Sequence, residues 1–315
     1  VLATFYASGC VVNAQMWPLL PKLLLLLVGL AVGATYVSAI NDWTDRADDF
    51  AGGKSNLLSS KSGAFVALLI AGCVCVGLGI GLFLMQASWV SALLYLGSWI
   101  AFSCYSWPPI RLKNRGLMGV IADAAGSHFF PQLLVVSVVA AWSGHAVPGI
   151  WYGTVGGWAL ACGLRNILLH QLGDIKADEA AGVNTWVRKK GAYFIQQLGR
   201  FGIFPVEVGA FSLLLLLSQQ LWPVIFLVLY VALEGFKWRI WGAPAVITPG
   251  KRMLLTDYYE VFYPLSFVLA LSVQHAVDGW LLGLHLLLFG LRCWQTIRQL
   301  IWAGTLIVRK GLSHK

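Results

Sequence analysis

An all-α integral membrane protein with about nine transmembrane helices is what this sequence predicts, and three observations predict it. The 315 residues are 58% hydrophobic and only 11% charged, with mean hydropathy +0.75, whereas a soluble domain carries roughly 25% charged residues. The apolar residues fall into long runs without the alternation of a barrel strand, so helices must satisfy the backbone within lipid. The basic residues gather in every second loop between those runs.

The runs, in order, are Val1–Asn13, Leu19–Ile40, Gly63–Met85, Trp89–Ser106, Leu117–Trp142, Val147–Leu169, Ala192–Leu217, Leu221–Leu233 and Val261–Val277. The first is short of the roughly 20 residues that cross a bilayer. It begins on Val1, not Met, which points to a first helix lacking its start. The eighth is also short and is expected to tilt or to end at the interface. Residues 1–277 make one membrane domain, and 278–315 add a C-terminal apolar and basic helix with a basic tail. Within that tail Trp280–Ile307 is apolar but broken by Arg292 and Arg298, so it is either a tenth crossing or an interfacial amphipathic helix. Crossing would put Arg309, Lys310 and Lys315 on the positive side, which favours it. Gly235–Tyr259, with Pro244 and Pro249, is a long loop that reads as a lid or as a solvated connector, the connector being the safer reading.

Loop charge gives the orientation. The even-to-odd loops and their flanking turns hold Arg46, Lys54, Lys61, Arg111, Lys113, Arg115, Arg165, Lys176, Arg188, Lys189, Lys190, Arg200, Lys237, Arg239, Lys251 and Arg252, which is 16 of the 22 Lys and Arg. The opposite loops contain only Lys22. By the positive-inside rule the basic loops are cytoplasmic. The net charge of +9 is therefore a topology signal and an anion-attracting rim. No nucleic-acid motif accompanies it. The six cysteines (Cys10, Cys73, Cys75, Cys104, Cys162, Cys293) are scattered through apolar runs and read as small packing residues, not as disulfides or metal ligands. Cys73 and Cys75, two apart on a helix, point to different sides.

Chemistry concentrates at three run ends. Asn41–Asp49, NDWTDRADD, holds four of the 13 acids: Asp42, Asp45, Asp48 and Asp49. Asn41, Asp45 and Asp49 are spaced i, i+4, i+8. On a helix this drifts about 40° per step, so the three share one face. Such acids repel one another unless a cation sits among them, and a hard divalent ion such as Mg²⁺ suits their oxygens. His170, Asp174 and Asp178 repeat the spacing after another apolar run. One such cluster alone reads as a solvated helix end. Two with one spacing, both at membrane boundaries, argue against that. The third stretch is Tyr105–Gly116, YSWPPIRLKNRG. Pro108 and Pro109 stop the helix. Arg111, Lys113 and Arg115 alternate, so an extended segment points all three one way. Beside two acidic clusters they suit a phosphorylated anion bridged to metal, although an ordinary positive-inside loop has the same charges.

At these stretches the chain resembles the UbiA superfamily of intramembrane prenyltransferases. The N-D-x-x-D-x-x-x-D signature is matched by Asn41, Asp42, Asp45 and Asp49, the D-x-x-x-D signature by Asp174 and Asp178, and the Tyr-Ser-x-Pro-Pro-x-x-x-Lys loop by Tyr105 to Lys113. The resemblance implies helices around a central lipid-open cavity under cytoplasmic loops. It implies an enzyme that binds an isoprenyl diphosphate through Mg²⁺ and transfers the prenyl group to a small acceptor within membrane lipid. Carried over, Asn41, Asp45 and Asp49 hold one metal and Asp174 and Asp178 the other, with Asp45 and Asp174 essential for catalysis. Asp42 matches the motif but sits off the ligand face. Lys54, Arg111 and Lys113 neutralise diphosphate oxygens, and Tyr105 and His128 are candidates to face the allylic cation.

Three departures stand out. His170 occupies a position where many members have an acid, Asn or Tyr; it binds diphosphate, orients Asp174 or is a structural interfacial residue. Asn56 is followed by Leu57 and Leu58, which loses a phosphate-binding arginine that Lys54 or Lys61 replaces. Gly119 is followed by Val120 where many members have Asn, and Asp123 sits a turn later. An acid inside a span is a functional candidate, as general base or acceptor-binding group; the alternative is a carboxyl paired to Arg115 or Lys113. The competing reactions are a terpene cyclase of the same fold, a CDP-alcohol phosphotransferase and a cation transporter. The phosphotransferase motif needs Asp-Gly-x-x-Ala-Arg, whereas Asp45 is followed by Arg46. A transporter would put its acids in mid-membrane, not at span ends.

Overall fold

A computed structural model describes residues 1–312. The named helices, in chain order, are α1 (Leu2–Val12), α2 (Leu20–Thr44), α3 (Arg46–Gly52), α4 (Gly63–Ala87), α5 (Trp89–Ser106), α6 (Leu117–Ala124), α7 (Phe130–Ser143), α8 (Gly149–Gly173), α9 (Ile175–Ala180), α10 (Trp186–Lys190), α11 (Ala192–Leu198), α12 (Phe204–Ser218), α13 (Leu221–Trp241), α14 (Tyr263–Gln274) and α15 (Gly279–Leu312). One π-helical turn, Ala125–Phe129, joins α6 to α7, and another, Gly199–Ile203, joins α11 to α12.

Among the described residues six helical stretches are long and apolar enough to cross a membrane: Trp17–Thr44, Gly63–Ala87, Leu117–Ser143, Ala192–Ser218, Leu221–Trp241 and Ala276–Leu306. The eighth run is longer than expected and continues to Trp241 as a 21-residue helix. After a 3-10 turn at Ala276–Asp278, the last stretch follows one 34-residue helix that continues through Arg292 and Arg298. Helix α8 has 25 residues, but Arg165, Asn166, His170 and Gln171 dilute its apolar character. All six cysteines are free, with Cys73 buried and Cys75 exposed.

The chain forms two compact units. One comprises Leu20–Ser212 and Ile247–Gly250, and contains both acidic motifs and the Pro-Pro loop. Lipid offers no hydrophobic drive between helices, so small residues and side-chain hydrogen bonds hold them together. Tyr36 of α2 stacks on Trp99 of α5 at 4.6 Å and its hydroxyl lies 2.7 Å from the Ser103 hydroxyl. Ser91 and Ser137 join α5 to α7 through a buried 2.8 Å bond. Helix α8 approaches α6 so closely that a Cβ on Gly163 would lie 2.8 Å from the Ala124 carbonyl oxygen.

The other unit comprises Val1–Leu19, Leu213–Val246 and the chain from Lys251 onward. Fully buried Asp278 accepts the backbone N–H groups of Met16, at 3.0 Å, and Trp17, at 2.6 Å. In the same unit Lys237 is buried between Glu234, 3.4 Å away, and Asp257, 2.6 Å away. Arg252 pairs with Glu234, and Arg292 with Glu260 at 2.6 Å. The connector expected over Gly235–Tyr259 is thus helical as far as Trp241, and ion pairs from Arg252 and Asp257 tie down the part that follows.

Candidate active site

The two acidic motifs share one local design. Helix α2 ends at Thr44 and α3 begins at Arg46, with Asp45 between them at φ −103°, ψ 4°. Helix α8 ends at Gly173 and α9 begins at Ile175, with Asp174 between them at φ −97°, ψ 2°. This sparsely populated backbone region recurs among active-site residues. Across each break the turn is kept: Asp45 N–H donates to Asn41 O at 2.9 Å and Asp49 N–H to Asp45 O at 2.7 Å, while Asp174 N–H donates to His170 O at 3.0 Å and Asp178 N–H to Asp174 O at 2.9 Å. The i, i+4, i+8 spacing therefore survives a change of helix. The short helices after the breaks meet closely, since a Cβ on Gly52 would sit 3.1 Å from the Ala177 carbonyl oxygen.

Cations fill both acid sets. Lys54, from the loop after the first motif, bridges the second: its Nζ donates to Asp174 at 2.9 Å and to Asp178 at 3.2 Å. Burial lowers the Lys54 pKa, but hydrogen bonds and charge from the two carboxylates outweigh it, and the ammonium is held above its ordinary value. In the first motif Arg111 donates to Asp45 at 3.0 Å and to Asp48 at 2.8 Å. Lys113, only 8% exposed, pairs with Asp45 and lies 3.8 Å from Asp48. Arg111 is a non-glycine residue in the left-handed region, at φ 36°, a conformation costing about 1–3 kcal/mol. Its bonds to two carboxylates and to the Thr44 carbonyl at 3.2 Å hold it there.

The Pro-Pro loop is not the extended segment that the alternation implies. Leu112–Asn114 is a 3-10 turn, so Arg115 points away and donates to the Pro109 carbonyl at 3.0 Å. Gly119 seats this loop on α6: a Cβ there would lie 2.6 Å from the Leu112 carbonyl oxygen and 2.8 Å from Lys113 Cα. A glycine is the only residue that fits such an approach.

The other site residues have distinct surroundings. Asn41 Oδ1 accepts from Ser106, and Asp49 accepts from Asn56 Nδ2 at 2.8 Å. The Asp42 carboxylate accepts the Leu57 N–H at 3.1 Å, a contact that anchors the loop. His170 is exposed and its ring makes no hydrogen bond to Asp174 among the described residues. Tyr105 is half-buried in the last turn of α5, next to the Ser106 that bonds Asn41. Asp123 is not paired with Arg115 or Lys113, whose partners are Pro109 and the first motif. The pairing alternative for Asp123 is thereby removed. Sequence reasoning gave no site role to Asp48, Asn56 or Ser106. Asp48 had a visible signal, as a fourth acid in the cluster, whereas Asn56 and Ser106 are ordinary residues until the fold brings them to Asp49 and Asn41.

No three His, Cys, Asp or Glu side chains among the described residues form a ready-made metal cage. Instead, pairs of carboxylates converge on single ammonium or guanidinium groups. A hard divalent ion is commonly held by one or two carboxylates plus substrate phosphates, and each motif offers such a pair. The oxygen-only donor set fits Mg²⁺.

An all-helical protein of several membrane-length helices, with twin acid motifs closed by basic residues, is the class that fold and site define. Its sequence matches the UbiA prenyltransferase family over residues 1–259, and the chain belongs to that family. A UbiA homologue from Archaeoglobus fulgidus bound to DMAPP and Mg²⁺ shares 18% identity with a TM-score of 0.56, covering 88% of this chain and 94% of that one. The structure of a UbiA homologue from the same organism bound to GPP and Mg²⁺ shares 16% identity with a TM-score of 0.54, covering 90% and 96%. These likenesses are of fold. Among curated proteins no relative matches the chain.

Proposed function

We propose that this protein transfers a prenyl group from an isoprenyl diphosphate to a small acceptor within the membrane. One observation carries the reading: each acid motif is closed by cations from a different part of the chain, Lys54 on Asp174 and Asp178, Arg111 and Lys113 on Asp45 and Asp48. Family membership and the ligands named for the Archaeoglobus homologues support it. Nine crossings around a central cavity, with both motifs cytoplasmic, belong to the same proposal, supported by the loop charges. The helices that fall short of membrane length or apolarity, α1, α5, α8 and α14, make nine crossings with the first five long stretches, and α15 is a tenth.

Asn41, Asp45 and Asp49 would hold one Mg²⁺, and Asp174 and Asp178 the other. When bound, Mg²⁺ supplies charge neutralisation at the diphosphate. Lys54, Arg111 and Lys113 bind the remaining diphosphate oxygens, because an anion competes with the aspartates for the same ammonium and guanidinium donors. His170, exposed one turn before Asp174, is a further diphosphate donor. In the transfer the allylic C–O bond breaks and its electron pair leaves on the diphosphate. The acceptor supplies the pair for the new bond to the allylic carbon. The proton it gives up passes to the Asp123 carboxylate. The Tyr105 ring faces the developing allylic charge.

The test is diphosphate release from labelled geranyl diphosphate by the reconstituted protein, with a panel of acceptors, in Mg²⁺ and in excess chelator. Metal-dependent release with label in an acceptor is expected. Full turnover in chelator would overturn the reading. Release with a cyclic hydrocarbon and no labelled acceptor would assign the reaction to a cyclase.

A further inference from the structure

Deeper along α6 and α8 lies a second polar set that the diphosphate chemistry does not use. Asn166 and His170 are exposed side chains in the C-terminal half of α8, where Arg165, Ile167, Leu168, Gln171 and Leu172 are buried. With Asp174 they repeat every four residues, so they make one stripe. Asn166 is about 12 Å along the helix from Asp174. Opposite it the π-helical turn after α6 presents Ser127 and His128, and such turns frequently mark functional sites.

The Ser127 hydroxyl donates to the Asp123 carbonyl at 2.7 Å. Its oxygen, 2.8 Å from His128 Nδ1, must then accept the Nδ1–H. His128 Nε2 is left with a lone pair, which accepts from Asn166 Nδ2 at 3.0 Å. With Asn166 Nδ2 facing Nε2 the imidazole is neutral, and Asn166 keeps one N–H and its carbonyl oxygen for a ligand. The nearby cation is already engaged: Arg165 holds Glu207 in a fork, Nε to Oε2 at 2.6 Å and Nη2 to Oε1 at 2.7 Å, with the two residues 4% and 0% exposed. Of the Asp, Glu, Lys and Arg side chains in 117–129 and 161–169, that leaves the Asp123 carboxylate.

We propose that Ser127, His128 and Asn166 form the acceptor subsite, and that it selects a neutral hydroxyl-bearing acceptor over one carrying a carboxylate. This rests on the prenyl-transfer reading above. A hydroxyl gives and takes one hydrogen bond, which matches the free donor and acceptor of Asn166. A carboxylate finds Arg165 already held by Glu207 and is repelled by Asp123.

The full chain in nanodiscs with Mg²⁺, loaded with geranyl thiolodiphosphate so that no turnover occurs, provides the test. Equilibrium dialysis then measures binding of two matched probes, hydroquinone and 4-hydroxybenzoate. Hydroquinone should bind at least tenfold more tightly, and Asp123→Asn should narrow the gap. Asn166→Leu should weaken hydroquinone at least tenfold while leaving the thiolodiphosphate Kd unchanged, which also controls for folding; His128→Leu is the second variant should Asn166→Leu not fold. Equal or tighter binding of 4-hydroxybenzoate, no binding of either probe, or unchanged hydroquinone binding in the folded variant would overturn the subsite while leaving prenyl transfer standing. Failure of the thiolodiphosphate to bind would overturn both.

Discussion

Replacing Lys54 with glutamine keeps most of the stem and removes the charge that ties the first motif's loop to the second motif. Its side chain is 33% exposed, and its partners Asp174 and Asp178 are 52% and 9% exposed. Solvent screening at this exposure limits each pair to about 0.2–1 kcal/mol, so the fold should lose on the order of 1 kcal/mol and the melting temperature should move only slightly. A charged hydrogen bond to a diphosphate is worth about 1.5–3 kcal/mol. At about 1.4 kcal/mol per tenfold, the prenyl diphosphate Kd should rise roughly 10- to 150-fold. The effect on metal has the opposite sign. Lys54 competes for the oxygens of Asp174 and Asp178, so without diphosphate the variant should bind Mn²⁺ at least as tightly as the parent. Isothermal titration in detergent, with Mn²⁺ alone and then with geranyl diphosphate, separates the two. An unchanged diphosphate Kd in a folded variant, or weaker Mn²⁺ binding without diphosphate, would refute the reasoning.

Asp45→Ala and Asp174→Ala should each abolish turnover and metal-dependent geranyl diphosphate binding; full activity of either would sink the metal assignment. Lys113→Gln should weaken geranyl diphosphate by roughly 1.5–3 kcal/mol with membrane insertion intact, and an unchanged dissociation constant in inserted protein would return the loop to a topology role. Cysteines introduced at Ser55 and Asn184 should be labelled by an impermeant reagent from one side only, the same for both; labelling from opposite sides would break the proposed topology. Gly163→Leu should force α8 from α6, because its Cβ would lie 2.8 Å from backbone; overpacking of this kind costs about 1–3 kcal/mol, and an unshifted unfolding midpoint would show that the helices yield.

The sequence by itself determined what is local. Apolar runs marked the helices because lipid leaves the backbone no other partner. The i, i+4, i+8 spacing anticipated backbone hydrogen bonds four residues apart, and those persist through the breaks at Asp45 and Asp174. Opposite exposure of Cys73 and Cys75 followed from helical period alone. Tertiary structure decided which charge meets which. Lys54 reaches Asp174 across 120 residues of chain, Arg111 and Lys113 share Asp45 with Asp48, and Arg115 is turned out by a 3-10 turn that the alternating charges concealed. The pairing of Arg165 with Glu207, which leaves Asn166 and His128 as neutral groups, was equally invisible. These contacts depend on how closely backbones approach, at Gly119 on the Pro-Pro loop and at Gly163 on α6. Long-range charge pairing is set by that approach, which no periodicity along the chain encodes.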